Sequence, residues 1–408
     1  MKKINLLSTL LFSLAITVGF AGCSNDEKDG VEVSAGKKTV YLKIGQPTTR
    51  TISDPVSDAA SIEFTSGKIV FLTGAGRVTK ILTLGTISDP ASDLYTVAEV
   101  AAGITLENLD DKTVKVAVVG HTALVIAVGD FWANITSELH ALSQKSTSDV
   151  NLYGEGGLTK KTGGPSATTG NDIYEAEIVV APTVARFEIT DVKAKDNLIS
   201  FDIDAVFVDN FYQKGDIVGA KNLLNDLKSP TSNPSDYTTD GTGAYATSWG
   251  GALYDADKVN VDASAGVVAP AVGKAWGYYT FAAPYVKNFD LGTTSGSEVP
   301  RLILRINGVT IDPALAITDP DLYAGLQSVY GDPSKIWFVT INGFNFDKAG
   351  TPTKVSSIVS GYVFSTVSGS LEIGESDLRP APNTSLIDAD IKVTPITWTK
   401  VGVTPIYN

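Results

Sequence analysis

The stretch ADIKVTPITWTKVGV, residues 389–403, carries the pattern on which the fold of this 408-residue chain turns. Ile391 and Val393, Ile396 and Trp398, and Val401 and Val403 each stand two positions apart. A strand points successive side chains to opposite faces, so this spacing predicts a half-buried β-strand rather than a helix. Pro395 has no N–H to give to a ladder, which predicts that the strand lies at an edge or is bent. An apolar edge left in solvent is a template for aggregation. The stretch is therefore expected to be buried somewhere.

The same pattern recurs upstream. Val40, Leu42 and Ile44 alternate with polar residues, as do Val31 and Val33 before Ala35-Gly36. Residues 62–64, 68–72, 78–84, 114–119, 173–180, 185–189, 198–208, 301–306, 336–341 and 355–367 are β-branched or aromatic runs bounded by Gly, Pro, Asn and Asp. With 38 Gly and 18 Pro as punctuation, the chain is expected to be mainly β and built as sandwiches. Short helices are expected at 95–102, stopped by Gly103, and at 218–227 and 321–330. Trp132, Ile135, Leu139 and Leu142 share one helical face and predict another. The octets TISDPVSD from Thr51 and TISDPASD from Thr86 read as one turn used twice.

The N-terminus has the form of an export signal. Lys2 and Lys3 precede an apolar run interrupted by Ser8, Thr9, Ser13 and Thr17, too short and too broken for a resident membrane helix. It ends in Phe20-Ala21-Gly22-Cys23, the form of a bacterial lipobox, with Phe20 where Leu is usual. Cys23, the one cysteine of the chain, is expected to carry lipid, so the exported chain has no disulfide and relies on its cores. Removing residues 1–22 leaves 30 basic against 45 acidic residues, a net charge of −15 that argues against nucleic acid as a partner. Asp26-Glu27-Lys28-Asp29 resembles the signal that sends lipoproteins to the outer face of an outer membrane. Gln46-Pro47-Thr48-Thr49-Arg50-Thr51 interrupts the strand pattern and reads as an exposed linker. A change of composition after the polar segment 143–170 places a domain boundary near Ala181-Pro182.

Catalytic constellations are missing from the pattern. His121 and His140 are the only histidines and are expected to be structural, so no His/Cys zinc site can be assembled. No nucleophile elbow or phosphate loop is present, and Gly74-Ala75-Gly76 lacks the third glycine of a dinucleotide fingerprint. Asp255, Asp257, Asn260 and Asp262 miss the spacing and the glycine of a calcium loop. Neither an enzyme activity nor a cofactor is expected. Aromatic residues crowd between Tyr245 and Phe289; Tyr278-Tyr279-Thr280-Phe281 reads as a core strand, and exposed rings there would instead stack on sugars.

Taken in order, several weak motifs resemble the fimbrillins, the subunits of type V pili. They are the lipobox at Cys23, an N-terminal strand ending at Thr49-Arg50-Thr51, the run APTVARFEI at 181–189, WFVTINGF at 337–344, SGYVFS at 360–365, and a terminal strand with Trp398. The resemblance implies two tandem β-sandwich domains of transthyretin-like or Greek-key type. Its divisions would be a signal peptide at 1–22, a lipidated propeptide with the first strand at 23–50, and domains at 51–180 and 181–408. It further implies cleavage between Arg50 and Thr51 by an arginine-specific protease, which removes the first strand with its lipid. A donor strand at about 389–408, with Ile391, Val393, Ile396, Trp398, Val401 and Val403 as its apolar residues, would then fill the vacated groove of another copy. Partners would be further copies in a head-to-tail filament, the outer membrane through the precursor's lipid, and host or bacterial surface ligands. The alternatives are a monomeric surface lipoprotein that binds glycan or host protein, and an accessory or tip adhesin.

Overall fold

The computed structural model describes residues 37–45, 62–135, 138–140, 143–144, 149–216, 221–222, 227–238, 253–255, 258–270, 275–281, 300–348, 351–354, 360–395 and 398–400. The first part of the chain contributes β1 (Lys37–Gly45), β2 (Ile62–Phe64), β3 (Gly67–Thr73), β4 (Val78–Gly85), β5 (Leu94–Thr96), β6 (Ile104–Asp110) and β7 (Thr113–Gly120). After them come β8 (Glu138–His140), β9 (Leu152–Gly157), β10 (Thr159–Lys160), β11 (Asp172–Val179), β12 (Ala181–Pro182), β13 (Val184–Ile189) and β14 (Lys193–Ala194). The middle holds β15 (Leu198–Asp209), β16 (Phe211–Tyr212), β17 (Lys214–Asp216), β18 (Lys221–Asn222), β19 (Leu227–Lys228), β20 (Leu253–Asp255), β21 (Val259–Asp262) and β22 (Trp276–Phe281). The last strands are β23 (Arg301–Ile311), β24 (Trp337–Lys348), β25 (Thr351–Lys354), β26 (Tyr362–Thr366), β27 (Glu372–Ile373), β28 (Leu386–Pro395) and β29 (Trp398–Lys400). Three α-helices interrupt them: α1 (Val97–Ala102), α2 (Leu315–Thr318) and α3 (Pro320–Tyr330). The protein is mainly β, as its alternating runs predict.

In the N-terminal half a four-stranded sheet, ordered β10-β11-β1-β6, packs on a six-stranded one, ordered β12-β9-β7-β3-β4-β5. Two glycines of β9 let the layers meet. A Cβ on Gly154 would stand 2.3 Å from the Val179 carbonyl oxygen, and one on Gly156 would stand 2.8 Å from Ile178 Cδ1. At Thr183 the chain changes sheet. From Val184 it runs into a twelve-stranded array whose main path is β19-β16-β22-β13-β26-β28-β24-β23-β15-β20. This array folds over on itself, because Tyr278 Oη on β22 donates to the Val206 carbonyl on β15 at 3.2 Å although five strands separate them in the order. Phe187 sits between the layers, 5.1 Å from the Phe364 ring and 5.3 Å from the Phe344 ring. Buried side chains of both halves form one contiguous cluster.

Several buried polar groups are paired across strands. Arg186 and Glu188 lie two apart on β13, hence on one face; they form an ion pair at 2.5 Å, and Ser365 Oγ donates to the same carboxylate at 2.7 Å. Buried Asp209 accepts from Tyr237 Oη at 2.5 Å and from Asn383 Nδ2 at 3.0 Å, pinning the 231–237 segment to β15. Burial first, and then Asp209, pushes the Tyr237 hydroxyl far above its ordinary range. His121 adopts a φ of +54°, with its ring edge-on to Phe64 at 5.9 Å. Its Nδ1 donates to the Val150 carbonyl at 2.7 Å, so Nε2 is left to accept from the Thr65 N–H at 3.2 Å. The structural role expected for His121 is what these contacts give it.

Several local expectations change. Helix α1 starts two residues after Tyr95, which belongs to β5, and its cap is Thr96 in a reciprocal pair with Glu99. Pro90–Ser92 is a separate 3₁₀ turn, which fits the turn reading of the second octet; the first octet lies outside the described residues. No helix joins Trp132 to Leu139. A 3₁₀ turn at Trp132–Asn134 buries Trp132, and β8 follows, with His140 opposite Lys214 of β17. Within 218–227 the described residues are strand: β18 pairs with β17, and β19, from Leu227, with β16. At Leu139 pairing with a distant strand overrides an apolar spacing of about 3.6, whereas at 218–227 the pairing is with nearby strands. Helix α3 forms where expected, with Pro320 in its first turn and Asp319 accepting from Leu322 N–H. Among the aromatics, Trp276, Tyr278, Tyr279 and Phe281 are core; Tyr245, Trp249, Tyr285 and Phe289 lie outside the described residues.

Two measurements check this packing. Phe187→Ala is expected to destabilise by about 3–5 kcal/mol, the usual cost of emptying a buried aromatic site; a urea midpoint unchanged from the parent chain would contradict it. Burial holds the His121 imidazole below its ordinary range, against the pull of the Val150 carbonyl, Asp149 and Glu63. Folding therefore excludes a proton, so stability is full above the ordinary histidine pKa of ~6.5 and falls as pH drops below it. Calorimetry from about pH 8 to about pH 5 should show the melting temperature falling, and His121→Asn, which tolerates positive φ, should flatten that slope. Equal slopes for the two proteins would disprove the assignment.

Candidate functional site: the first strand and its groove

KKTVYLKIG, the sequence of β1, alternates so that Val40, Leu42 and Ile44 face the core at 0–1% exposure, while Tyr41 on the other face is exposed. The strand is paired along both edges. It runs parallel to β11, from Lys38↔Asp172 to Gly45↔Val179, and antiparallel to β6, from Lys37↔Asp110 to Leu42↔Ile104. This register sets Leu42 beside Ala176 and Ile104, and Ile44 beside Ile178. The small Ala176 leaves width for Leu42. At the far end of the strand the Gly45 carbonyl accepts from Val180 N–H at 2.9 Å.

Polar anchors fix the strand's position along the groove. Lys38, almost fully buried, donates from Nζ to the Thr113 carbonyl at 2.8 Å and lies 4.5 Å from the centre of the Tyr174 ring. Burial pushes its ammonium down, against Asp111, Asp110 and Asp172. Thr39 Oγ1 lies 3.0 Å from Thr169 Oγ1. Tyr41 lies over Gly103, where a Cβ would stand 2.0 Å from the phenol oxygen and where φ is +109°. The glycine that ends α1 thus also seats the ring of β1.

The apolar side chains alone are worth ~1.5–3 kcal/mol each on burial. Each ladder hydrogen bond along the two edges adds ~1 kcal/mol net. Together these approach the ~5–15 kcal/mol that holds a whole domain folded. A groove without β1 is therefore unstable until another strand fills it.

The chain has a fimbrillin fold. The likeness that shows it is to a fimbrilin (FimA) from Porphyromonas gingivalis, with a TM-score of 0.51 and 15% sequence identity over 90% of this chain and 100% of that one. A putative cell adhesion protein from Parabacteroides distasonis aligns over 90% of this chain and 99% of its own, with 10% identity and a TM-score of 0.46. The tip fimbrial protein Mfa3 from Porphyromonas gingivalis aligns over 88% of this chain and 99% of its own, with 8% identity and a TM-score of 0.38. No family model and no curated protein sequence matches the chain.

Other sequence-predicted residues are scattered. Cys23, Arg50, Thr51, Ile396, Val401 and Val403 lie outside the described residues. Ile391, Val393 and Pro395 belong to β28; its residues up to Ile391 pair with β24 and 391–395 pair with β26, so among the described residues the stretch that ends at Pro395 has one paired edge, as its proline suggests. β28 is parallel to β24 and antiparallel to β26, with Val393 opposite Phe364. Pro395 closes the strand opposite Tyr362, so its missing N–H falls at the last rung. Trp398 opens β29, in a different sheet. Of the acidic group near 255–262, Asn260 donates to Asp202 and Asp262 caps a 3₁₀ turn, while Asp257 lies outside the described residues. Among the described residues no group of three or more His, Cys, Asp or Glu is placed to hold a metal ion.

Alternation alone marks Val40, Leu42 and Ile44; the anchors Lys38 and Thr39 bind groups more than 70 residues away and leave no local signal. Leu42→Ala is expected to cost about 2–5 kcal/mol, as for other buried leucines. It should also speed the loss of β1 amide protection in hydrogen exchange. Protection equal to that of the parent chain would show that the strand is not held by these contacts.

Proposed function

We propose that this chain is a shaft subunit of a cell-surface fimbria, exported as an outer-membrane lipoprotein through Cys23 and polymerised by strand exchange after cleavage between Arg50 and Thr51. One observation carries the reading: the first described strand, tied to the rest of the chain only through the linker that holds Arg50, is an interior strand of its sheet. A cut in that linker separates β1 covalently while leaving β6 and β11 in place. Two open edges and the sites of Val40, Leu42 and Ile44 then await a strand. Head-to-tail addition of a strand from the next copy makes a filament rather than a closed dimer.

The tail of this chain is the strand on offer, and the pairing of β28 narrows it. Ile391 and Val393 are built into the chain's own sheet as far as Pro395. The donated part is then 396–408, with Ile396, Trp398, Val401 and Val403 as its apolar residues. At ~3.3 Å per residue these 13 positions reach about 43 Å, more than the ~30 Å that the nine residues of β1 cover. Partners in this reading are further copies, an arginine-specific protease, and a host or bacterial surface.

The test uses the precursor from residue 24 onward. Treated with an arginine-specific protease, it should lose residues 24–50 and give ladders on an unheated gel. Arg50→Ala should leave it monomeric, and deletion of 396–408 should permit cleavage without ladders. Fibres from the Arg50→Ala protein would rule the mechanism out. Monomer after complete cleavage, together with glycan binding, would favour a surface adhesin instead.

A further inference from the structure

The chain does not end in the sheet of β28. β29 runs parallel to β2, with Ile62 opposite Trp398, Glu63 opposite Thr399 and Phe64 opposite Lys400. The tail thus crosses from the C-terminal array to a strand of the N-terminal half. β2 is firmly seated there. Ile62 and Phe64 are fully buried, Phe64 packs edge-on against His121, and the next residue, Thr65, gives its N–H to His121 Nε2. Gly120 makes room for the Phe64 ring, since a Cβ there would stand 2.9 Å from it. Among the described residues β29 is the one ladder partner of β2.

We propose that this pairing is a parking contact: the free chain keeps its own tail on β2, and the tail must leave β2 before a second copy can receive it. The inference rests on the proposed function for the destination of the tail, but not for the contact itself. Its size suits the task. It spans three rungs on a single edge, whereas the groove of β1 offers nine positions and two edges. While every β1 is in place, β2 is the better home for the tail. Once a neighbouring groove is empty, the balance reverses. The order of elements links the two events, because the linker holding Arg50 joins β1 directly to β2. A cut after Arg50 leaves eleven residues before Ile62 and ends the tie between the parking strand and the anchored β1.

Glu63→Cys combined with Thr399→Cys, in a full chain carrying Cys23→Ser, places two thiols on facing rungs at a separation a disulfide can bridge. Mild oxidation of the uncut protein should close the pair within one chain, seen as faster migration on a non-reducing gel and a mass lower by two hydrogens. After cleavage by the arginine-specific protease, the oxidised protein should give at least tenfold less ladder than the same sample reduced. Failure of the disulfide to form while each single variant folds would overturn the parking contact, as would equal ladders from oxidised and reduced protein. A disulfide that forms in a protein giving no ladder even when reduced would uphold the contact and sink the fimbrial reading instead.

Discussion

Pairing of β1 on both edges is the constraint from which the rest of the architecture follows. A strand that is parallel to β11 cannot be joined to it by a tight turn; a crossover is obligatory. Here the crossover is nearly the whole N-terminal half, since β2 to β10 lie between the two strands in sequence. In the partner sheet, with β3, β4 and β7 at its centre, β3 and β4 form a local hairpin, and β3 pairs with β7 from Gly67↔Gly120 to Thr73↔Thr113. The sheet of β1 closes only when residues 130 positions apart meet, as Thr39 and Thr169 do. Such long-range pairing forms late and slowly. The strand that completes the N-terminal half is thus the one whose contacts are least local and whose covalent attachment is a single linker.

The C-terminal half repeats the device at the other end of the chain. β28 is inserted between β24 and β26, and it is parallel to the former, which again demands a long connection. Both long terminal strands are held within a sheet, β1 along two edges and β28 on β24 up to Ile391 and on β26 from there to Pro395. They differ in how they end. β1 is anchored at both extremities, by Lys38 on the Thr113 carbonyl and by Val180 on Gly45, whereas β28 stops at a proline and hands the chain to another sheet. A proline in mid-strand would break a rung, but at the last rung it ends the strand at no cost to the ladder.

Strand existence was largely legible in the sequence as β-branched and aromatic runs bounded by turn residues: β3, β4, β7, β11, β13, β15 and β23 all overlap runs such as 68–72 and 198–208. Helix α3 was legible from Pro320 and Asp319, which act locally. What failed was every inference that needed a partner's identity. Trp132, Ile135 and Leu139 have helical spacing, yet Leu139 joins a ladder with Gly215, 76 residues on. Pro395 announced an edge or a bend, and 391–395 do pair with β26 alone, but sequence shows only that a donor is missing and not which rung it would have served. For the site, Val40, Leu42 and Ile44 could be read from alternation. Lys38 could not, since a buried lysine on a backbone carbonyl resembles any surface lysine in sequence. Nor could the pairing of β2 with β29, two short segments more than 330 residues apart.

Seen from the tail, the asymmetry between its two resting places has a directional consequence. A contact of three rungs on one edge is worth a few ladder bonds of ~1 kcal/mol each, no more than the entropy lost in ordering the segment at ~1–2 kcal/mol per residue. Such a contact holds only because it is intramolecular, the tethered tail finding β2 at a high effective concentration. A groove with two open edges and the vacated sites of three buried aliphatic side chains offers several times that gain, enough to outweigh the loss of tethering when another copy presents it. Exchange in the opposite direction, from a filled groove back to β2, must then climb the same difference. In the proposed mechanism, removing β1 by a covalent cut would make the vacancy irreversible, and the energy difference between one-edged and two-edged pairing would make growth of a strand-exchanged polymer run forward.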